Sequence, residues 1–235
     1  MAMLAANHPN DPIDVIMGDW MSEANMTSRA AMKTDSLAAQ GLKSDEKTPT
    51  IGADGTAAYE PTFIEALAPA LADIAKHKIR VAVNAGASDT AILHRDVTAL
   101  VKQKGLDLKV AYVSGDEVLP AVQKAQKDKR SKFENICTGE LLDDWKFEPI
   151  YAQAYLGGLG IAKAFEKGAD IVVCGRVSDA SPCIGAAVWW HGWRRDQLNE
   201  LANAFVTGHL IECSNYVTGG QYRLVEIGEL PETQT

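Results

Sequence analysis

Ile171-Val-Val-Cys174 is an apolar run with no polar interruption, bounded by Gly168 behind and Gly175 ahead. A strand with one face in water alternates polar and apolar residues. A short continuous run is instead the pattern of a strand buried on both faces of a parallel sheet. Three more short apolar-rich runs precede it: Ile13-Asp-Val-Ile-Met17, Ile79-Arg-Val-Ala-Val83 and Leu108-Lys-Val-Ala-Tyr-Val113. Each passes through a polar loop into a helical pattern. Such alternation predicts parallel βαβ units with right-handed crossovers. The expected fold class is therefore α/β, an open, mostly parallel sheet with helices on both faces, doubly wound in the Rossmann-like manner.

The helices are placed by their own signals. Residues 24–42 are rich in alanine and methionine and predict the first. Glu60-Pro61 opens the next, with proline near the first turn, where its missing N–H costs little. Phe63, Leu67, Leu71 and Ile74 mark the buried face, and Pro69 inside that pattern predicts a kink or a late start. Ser88 or Asp89 caps a helix running to about Lys104, with Ile92, Val97 and Val101 inward. A lysine-rich helix runs to about Arg130, followed by an irregular stretch over 131–152. Ala154–Lys167 reads as a helix with Gly157-Gly-Leu-Gly160 in its first half, which permits close packing on the sheet. A last helix covers about Asp196–Cys213, and Gln221–Val225 reads as a final edge strand. Residues 1–12, with two prolines, are expected to be loose. Residues 13–235 are expected to form a single α/β domain, with a surface excursion at about 43–58.

The net charge is −8 and the chain is 46% hydrophobic. That balance argues against a nucleic-acid partner and against an anionic membrane surface. No apolar run approaches the ~18–20 residues needed to span a bilayer. The N-terminus lacks the basic region of a secretory signal. The cysteines at 137, 174, 183 and 213 form no C-x-x-C pair, so a reduced, cytoplasmic protein is expected.

The four strands ahead of the predicted edge strand each end in a small or glycine-containing polar loop carrying an acid or amide: Asp19, Asn84, Asp116 and Asp179. In open α/β sheets these loops form the ligand crevice. Arg176 and Asp179 carry the most chemistry. Arg176 suits a carboxylate, phosphate or acyl oxygen, and Asp179 suits proton transfer. The alternative is that Asp179 caps the helix following Ser178 and Arg176 pairs with it structurally. Asp19 and Glu23 offer a second pair of carboxylates able to divide acid and base roles. Against that stands a capping arrangement around Ser22, the preferred reading for Glu23. Asn84-Ala-Gly86 offers an amide side chain and a glycine whose backbone N–H groups can face an oxyanion, or else a plain tight turn. His209, Glu212 and Cys213 share one helix face. No further ligands at zinc-like spacing accompany them, so His209 is read as a catalytic acid/base candidate with Asp179 and Asp19, or as a packed histidine, and no metal is expected. Arg176, Asn84, Gly86, Asp116, Ser178 and Glu212 are the candidate substrate-binding residues. Cys174 and Cys183 read as buried inert thiols before nucleophiles. Trp189, Trp190 and Trp193 form an aromatic knot, either core or subunit interface. The Gly157–Gly160 segment fails the dinucleotide spacing, and no P-loop, nucleophile elbow or H-E-x-x-H is present.

With these loops, the chain resembles the acyclic terpene utilisation (AtuA-like) family. The resemblance is carried by Asn84-Ala-Gly86, Gly115-Asp116, Ala154-Tyr-Leu-Gly157, Gly168–Asp179, Gly208-His-Leu-Ile-Glu-Cys213 and Thr218-Gly-Gly220. Asp14–Glu23 is similar to its fungal branch. The resemblance spans about residues 13–222. It implies catabolism of terpenoid or branched-chain acids through coenzyme A thioesters, or a role in fungal secondary metabolism. A further strand with a glycine-rich loop ahead of Asp14, and a continuation beyond Thr235, are usual in the family. The chain is therefore expected to be a shortened form.

The expected function is an enzyme acting on a small carboxylic acid or acyl thioester by acid/base lyase, hydro-lyase or isomerase chemistry. No separate cofactor is expected; coenzyme A would enter as part of the substrate. A homo-oligomer is expected. The alternatives are a non-catalytic binding or oligomerisation module and, behind it, a thiol-dependent hydrolase using Cys174 or Cys183.

Overall fold

The computed structural model describes residues 1–39 and 57–212. Its strands are β1 (Val15–Gly18), β2 (Arg80–Val83), β3 (Val110–Val113) and β4 (Ile171–Cys174). They lie in the order β1-β2-β4-β3, and every pairing is parallel. The protein is thus α/β, as the alternation of apolar runs and helical patterns predicts.

Period-two alternation along the central strands builds two cores. Val81, Val83, Ile171 and Val173 face one layer, where they meet Phe63 and Leu67 of α3 (Pro61–Leu67), Leu71 and Ile74 of α4 (Leu71–His77), and Leu93, Val97 and Val101 of α5 (Thr90–Gln103). Ala82, Val172 and Cys174 face the other, against Ile161 and Phe165 of α7 (Leu159–Glu166) and Ala186 of α8 (Ser181–His191). β4 is buried at every position, which is why its sequence shows no polar alternation. Each fully buried side chain of this kind contributes roughly 1.5–3 kcal/mol.

Pro61 occupies the first turn of α3, and the helical pattern breaks before α4, around Pro69. Further described helices include α2 (Glu23–Ala39), α6 (Leu119–Lys127) and α9 (Leu198–Ile211). α2 lies across the carboxyl ends of the strands. It is anchored there by Arg29 on Glu60 at 3.0 Å and by Lys33 on Asp89 at 3.1 Å.

Several expectations are corrected. Residues 1–12 are not loose throughout: Ala2–Asn7 forms α1, whose fully buried Ala5 packs into the first core, and His8 stacks on His77 at 4.7 Å. The small residues of Ala2-Met-Leu-Ala-Ala6 favour a helix and let it approach closely. Helix α7 begins at Leu159, not Ala154. Paired glycines disfavour a helix, and the preceding segment gains more by running extended beside the β4 loop. There Leu156 N–H donates to the Arg176 carbonyl, and Ser178 N–H donates to that of Leu156. Helix α8 is the helix expected after Ser178 without bounds of its own, and Ala180 rather than Asp179 stands at its N-cap. Its signal is Ser181-Pro182, with proline in the first turn, and it ends at Gly192 in the left-handed region. Within the tryptophan knot, Trp189 packs on Phe165, while Trp190 is half-exposed. The excursion expected at 43–58 and the strand at Gln221–Val225 lie outside the described residues, apart from Ala57 and Ala58.

The glycines of Gly157-Gly-Leu-Gly160 do serve close packing. A Cβ on Gly160 would stand 2.9 Å from Val113 of β3, and one on Gly158 would stand 2.6 Å from the Ser181 carbonyl. Across that contact, a Cβ on Gly185 would stand 2.6 Å from the Gly158 carbonyl and 2.7 Å from Ile161 Cβ. Gly185→Ala is therefore expected to cost about 1–3 kcal/mol in chemical denaturation. Gly157→Ala, where nothing lies within 4 Å, is expected to stay within about 0.5 kcal/mol.

Candidate active site

The loops after β1 and β2 are tied by one buried amide. Asn84 is fully buried, donates from Nδ2 to Asp19 Oδ1 at 2.5 Å and accepts Trp20 N–H at 2.5 Å. Gly86 donates its N–H to the Cys174 carbonyl at 2.8 Å, and a Cβ there would stand 2.5 Å from that oxygen. Asn84 and Gly86 are thus ties between strand ends, not the ligand-facing donors expected of them. The Asn84 side-chain oxygen, one of its N–H donors and the Gly86 N–H are taken by the protein.

Arg176 is the most buried charged side chain at this edge, 2% exposed. Nη1 donates to the Met21 carbonyl at 3.0 Å, and Nη2 donates to Glu23 Oε1 at 2.9 Å and lies 3.2 Å from Asp179 Oδ1. The guanidinium lies over the Tyr155 ring at 4.1 Å, and the Tyr155 hydroxyl donates to the same Glu23 oxygen. Among the described residues its Nε has no partner. Burying a guanidinium costs several kcal/mol unless it is paired, and here two carboxylates, a carbonyl and an aromatic face surround the two Nη groups. Arg176 and Asp179 meet, the pairing that the sequence offers as the alternative to ligand binding. The Nη2 side of Arg176, however, is held by Glu23, which the sequence assigned to helix capping. Glu23 is 69% exposed, the most solvent-accessible of the charged partners of Arg176. Tyr155 was legible only as part of the Ala154-Tyr-Leu-Gly157 motif.

Asp116 is 4% exposed and holds the β4 loop from beneath. Its Oδ2 accepts Arg176 N–H at 2.8 Å and Gln153 Nε2 at 2.7 Å. Burial pushes its pKa up against these hydrogen bonds. Gly175 permits the approach: a Cβ there would overlap that carboxylate oxygen. Ser178 points its hydroxyl at Ser181 Oγ, 2.6 Å away, in the first turn of α8 rather than toward a ligand.

Asp19 and Asp179 line one cleft of about 40 Å³, together with Gly18, Cys183, Gly208 and Glu212. That volume admits a water or one functional group, not a whole substrate. Gly208 brings α9 to the cleft, since a Cβ on it would stand 2.6 Å from Ala180. Asp19 is exposed as a residue, yet the protein packed about its carboxyl disfavours the charged form and pushes its pKa up. Asn84 and Met21 oppose that shift, and Asp179 reinforces it. Glu212 is pushed up by desolvation and then by Asp179 and Asp19. His209 stands at the rim. Its Nδ1 lies 3.0 Å from the Phe205 carbonyl, and its Nε2 lies 4.0 Å from Glu212. Among the described residues, no group of three or more His, Cys, Asp or Glu is placed to hold a metal ion. Cys174 is fully buried, and burial pushes its thiol and that of Cys183 upward, away from the nucleophilic thiolate.

Asp19 has a pKa raised above its usual 3.8. Its favourable contribution is therefore fully present below 3.8 and is lost as pH rises through the folded value. Asp19→Asn keeps the Oδ1 acceptor and removes that loss. The variant is expected to be more stable than the parent at neutral pH, by at most about 1 kcal/mol after solvent screening. The difference should vanish below about pH 4 in thermal melts across pH.

Residues 1–234 match the model of the acyclic terpene utilisation family protein AtuA. No curated protein and no solved structure matches the chain. The match spans nearly all of the sequence, including every loop at the carboxyl edge of the sheet, and the chain belongs to the AtuA acyclic terpene utilisation family.

Proposed function

We propose that this protein is an enzyme that moves a proton on a small branched carboxylic acid or its acyl thioester, by lyase, hydro-lyase or isomerase chemistry. The observation that carries this reading is the pair Asp19 and Asp179, which share one small cleft in different environments. Asp179 lies 3.2 Å from a buried guanidinium, whereas Asp19 is hydrogen-bonded by a neutral amide and has its pKa raised. Two carboxyl groups whose surroundings differ in this way can divide base and acid roles. In this assignment Asp179 takes a proton from the carbon beside the acyl group, and Asp19 protonates the leaving group or the rearranged carbon. The substrate's anionic group reaches Arg176 by displacing the exposed carboxylate of Glu23. His209 and Glu212, at the rim, are placed to relay protons to solvent.

Family membership supports a terpenoid acid or thioester as substrate, in catabolism or in fungal secondary metabolism. Coenzyme A would be part of the substrate rather than a separate cofactor. A cytoplasmic setting is supported by the free thiols of Cys137, Cys174 and Cys183. No described helix is long and apolar enough to cross a membrane.

A second reading, a module for oligomerisation, draws on the apolar face of α9. Phe205, Val206 and Leu210 are each more than half exposed there, and Trp190 is exposed to a similar degree at the end of α8. Sedimentation velocity separates its elements. A dimer dissociated by Leu210→Glu would support self-association, and a monomer would remove it.

The chemical reading is tested without knowing the product. Branched unsaturated acids and their thioesters are incubated with the protein in D₂O, and deuterium incorporation is followed by mass spectrometry. Exchange is expected for at least one substrate, reduced at least ~100-fold by Asp179→Asn. Exchange that persists undiminished in Asp179→Asn would overturn the assignment.

A further inference from the structure

A groove of about 630 Å³ runs along the open edge of β3, walled by α7, on the opposite flank of the sheet from the Asp19–Asp179 cleft. β3 ends the strand order, and among the described residues it pairs with β4 alone. In a parallel ladder both backbone groups of a residue point to one side, and the side alternates along the strand. The Lys109 carbonyl accepts the Ile171 N–H of β4 at 3.1 Å. Ala111 and Val113 therefore turn toward β4, and Val110 and Tyr112 turn outward. His94 Nε2 lies 3.1 Å from the Val110 carbonyl and covers it in part. No described residue hydrogen-bonds the Tyr112 N–H or carbonyl, and the Tyr112 side chain is 45% exposed.

Lys109, Lys163 and Lys167 line the groove. Side chains alternate across a strand, so Lys109 lies on the α7 side with Ala111 and Val113. Its Nζ reaches the turn from α7 to β4, where a Cβ on Gly168 would stand 3.7 Å away. Lys163 stands in the last turn of α7 and Lys167 at its C-cap. Lys163 is paired with Glu166 at 2.6 Å. Lys109 and Lys167 have no ion-pair partner among the described residues, and the neighbouring Asp170 is already held by Arg80 and by the Lys109 backbone N–H. Gly160 and Ala164 of α7 complete the wall with small residues. Lysines at a sheet edge keep neutral and basic strands from pairing there. In a chain of net charge −8, the same cluster attracts an acidic one.

An extended segment laid beside β3 finds two kinds of contact. Its backbone pairs with the free N–H and C=O of Tyr112, and its side chains point alternately to the two faces. Those on the α7 face meet Lys109, Lys163 and Lys167. Those on the other face cover the exposed Tyr112 ring, which lies 5.0 Å from that of His94. We propose that the β3 edge docks an extended segment of a partner protein in which acidic and apolar residues alternate, added to the sheet as a further strand. A second copy of this chain fits less well, because it brings the same lysines and the same net charge of −8. The surface stands on its own observations and does not depend on the roles of Asp19 and Asp179.

The test uses the full chain with the peptide acetyl-Glu-Val-Glu-Val-Glu-Val-amide as probe, read by calorimetry. The comparisons are the same peptide with Lys in place of Glu, the acidic peptide with every amide N-methylated, and octanoate. The acidic peptide is expected to bind, more weakly as salt rises, and the basic peptide is not. The N-methylated peptide cannot donate to a strand edge and is expected to bind about tenfold more weakly or worse. Combining Lys109→Glu with Lys167→Glu is expected to weaken the acidic peptide about tenfold or more. Both side chains are exposed, so this variant should melt like the parent. The proposal is overturned if the acidic peptide does not bind, as when the lysines only repel strands or the chain's own residues fill the groove. It is equally overturned if the N-methylated peptide binds as well, or if the lysine variant keeps the parent affinity. Octanoate that binds more tightly and displaces the peptide would also overturn it, making the groove a site for a small amphiphilic acid. Asp179→Asn should bind the peptide like the parent, so a failure of the proton-transfer assignment and a failure of this surface give different results.

Discussion

A single buried guanidinium organises the carboxyl edge of this sheet. Arg176 extends from the loop after β4 and touches the β1 loop through the Met21 carbonyl, helix α2 through Glu23, and its own loop through Asp179. Tyr155, in the extended segment before α7, covers its face. Four separate pieces of chain meet on one side chain. A lysine could supply the charge, but not the planar fork and the stacking surface that let one group hold several partners at fixed angles. The charge is buried, so leaving the Met21 or Glu23 contact without a replacement strands a donor in a poorly solvated place, which is costlier than losing a surface ion pair.

The same economy runs through the neighbouring residues. Asn84 and Asp116 are buried polar groups, and each spends its hydrogen bonds holding another loop: Asn84 on Asp19 and Trp20, Asp116 on the Arg176 backbone and Gln153. Gly86 and Gly175 carry no side chain because a carbonyl and a carboxylate oxygen occupy the space. Asp19, Asp179 and Glu212 line the cleft, and the Arg176 guanidinium lies behind Glu23. The residues most conspicuous in the sequence are therefore often the supports.

This division explains what could be read from the sequence. The strands were legible because burial on two faces forces continuous apolar runs, and β4 shows this at every position. The convergence of Asp19, Asn84, Asp116 and Asp179 at one edge was legible because parallel strands put every strand-to-helix loop at the same end. Who bonds to whom was not. Asn84 reads as an oxyanion donor until Trp20 and Asp19, some 64 and 65 residues away, are seen to occupy it. Glu23 reads as a helix cap until Arg176, 153 residues distant, takes it. Helix α7 was placed too early because the advantage of running Leu156 beside the β4 loop is a long-range pairing, invisible to local pattern. Helix α1 was missed for the same reason, since a short alanine-rich segment is a helix only where a surface receives it.

Helix α2 connects these supports to function. It buries only Ala30 and Leu37, too little apolar surface to hold it in place by hydrophobic packing. Its attachment is polar: Glu23 to Arg176, Arg29 to Glu60 and Lys33 to Asp89 and Glu117. Those anchors fall at one end, the middle and beyond the middle of the helix, so the first reaches the loop after β4 and the last reaches the loops after β2 and β3. Ion pairs that are partly solvated exchange partners more readily than packed apolar side chains, because water and incoming charges compete for them. The loops after β2, β3 and β4 are thus joined by one polar-docked element, and the sheet beneath stays fixed by its two apolar cores while the layer above it is held by charge.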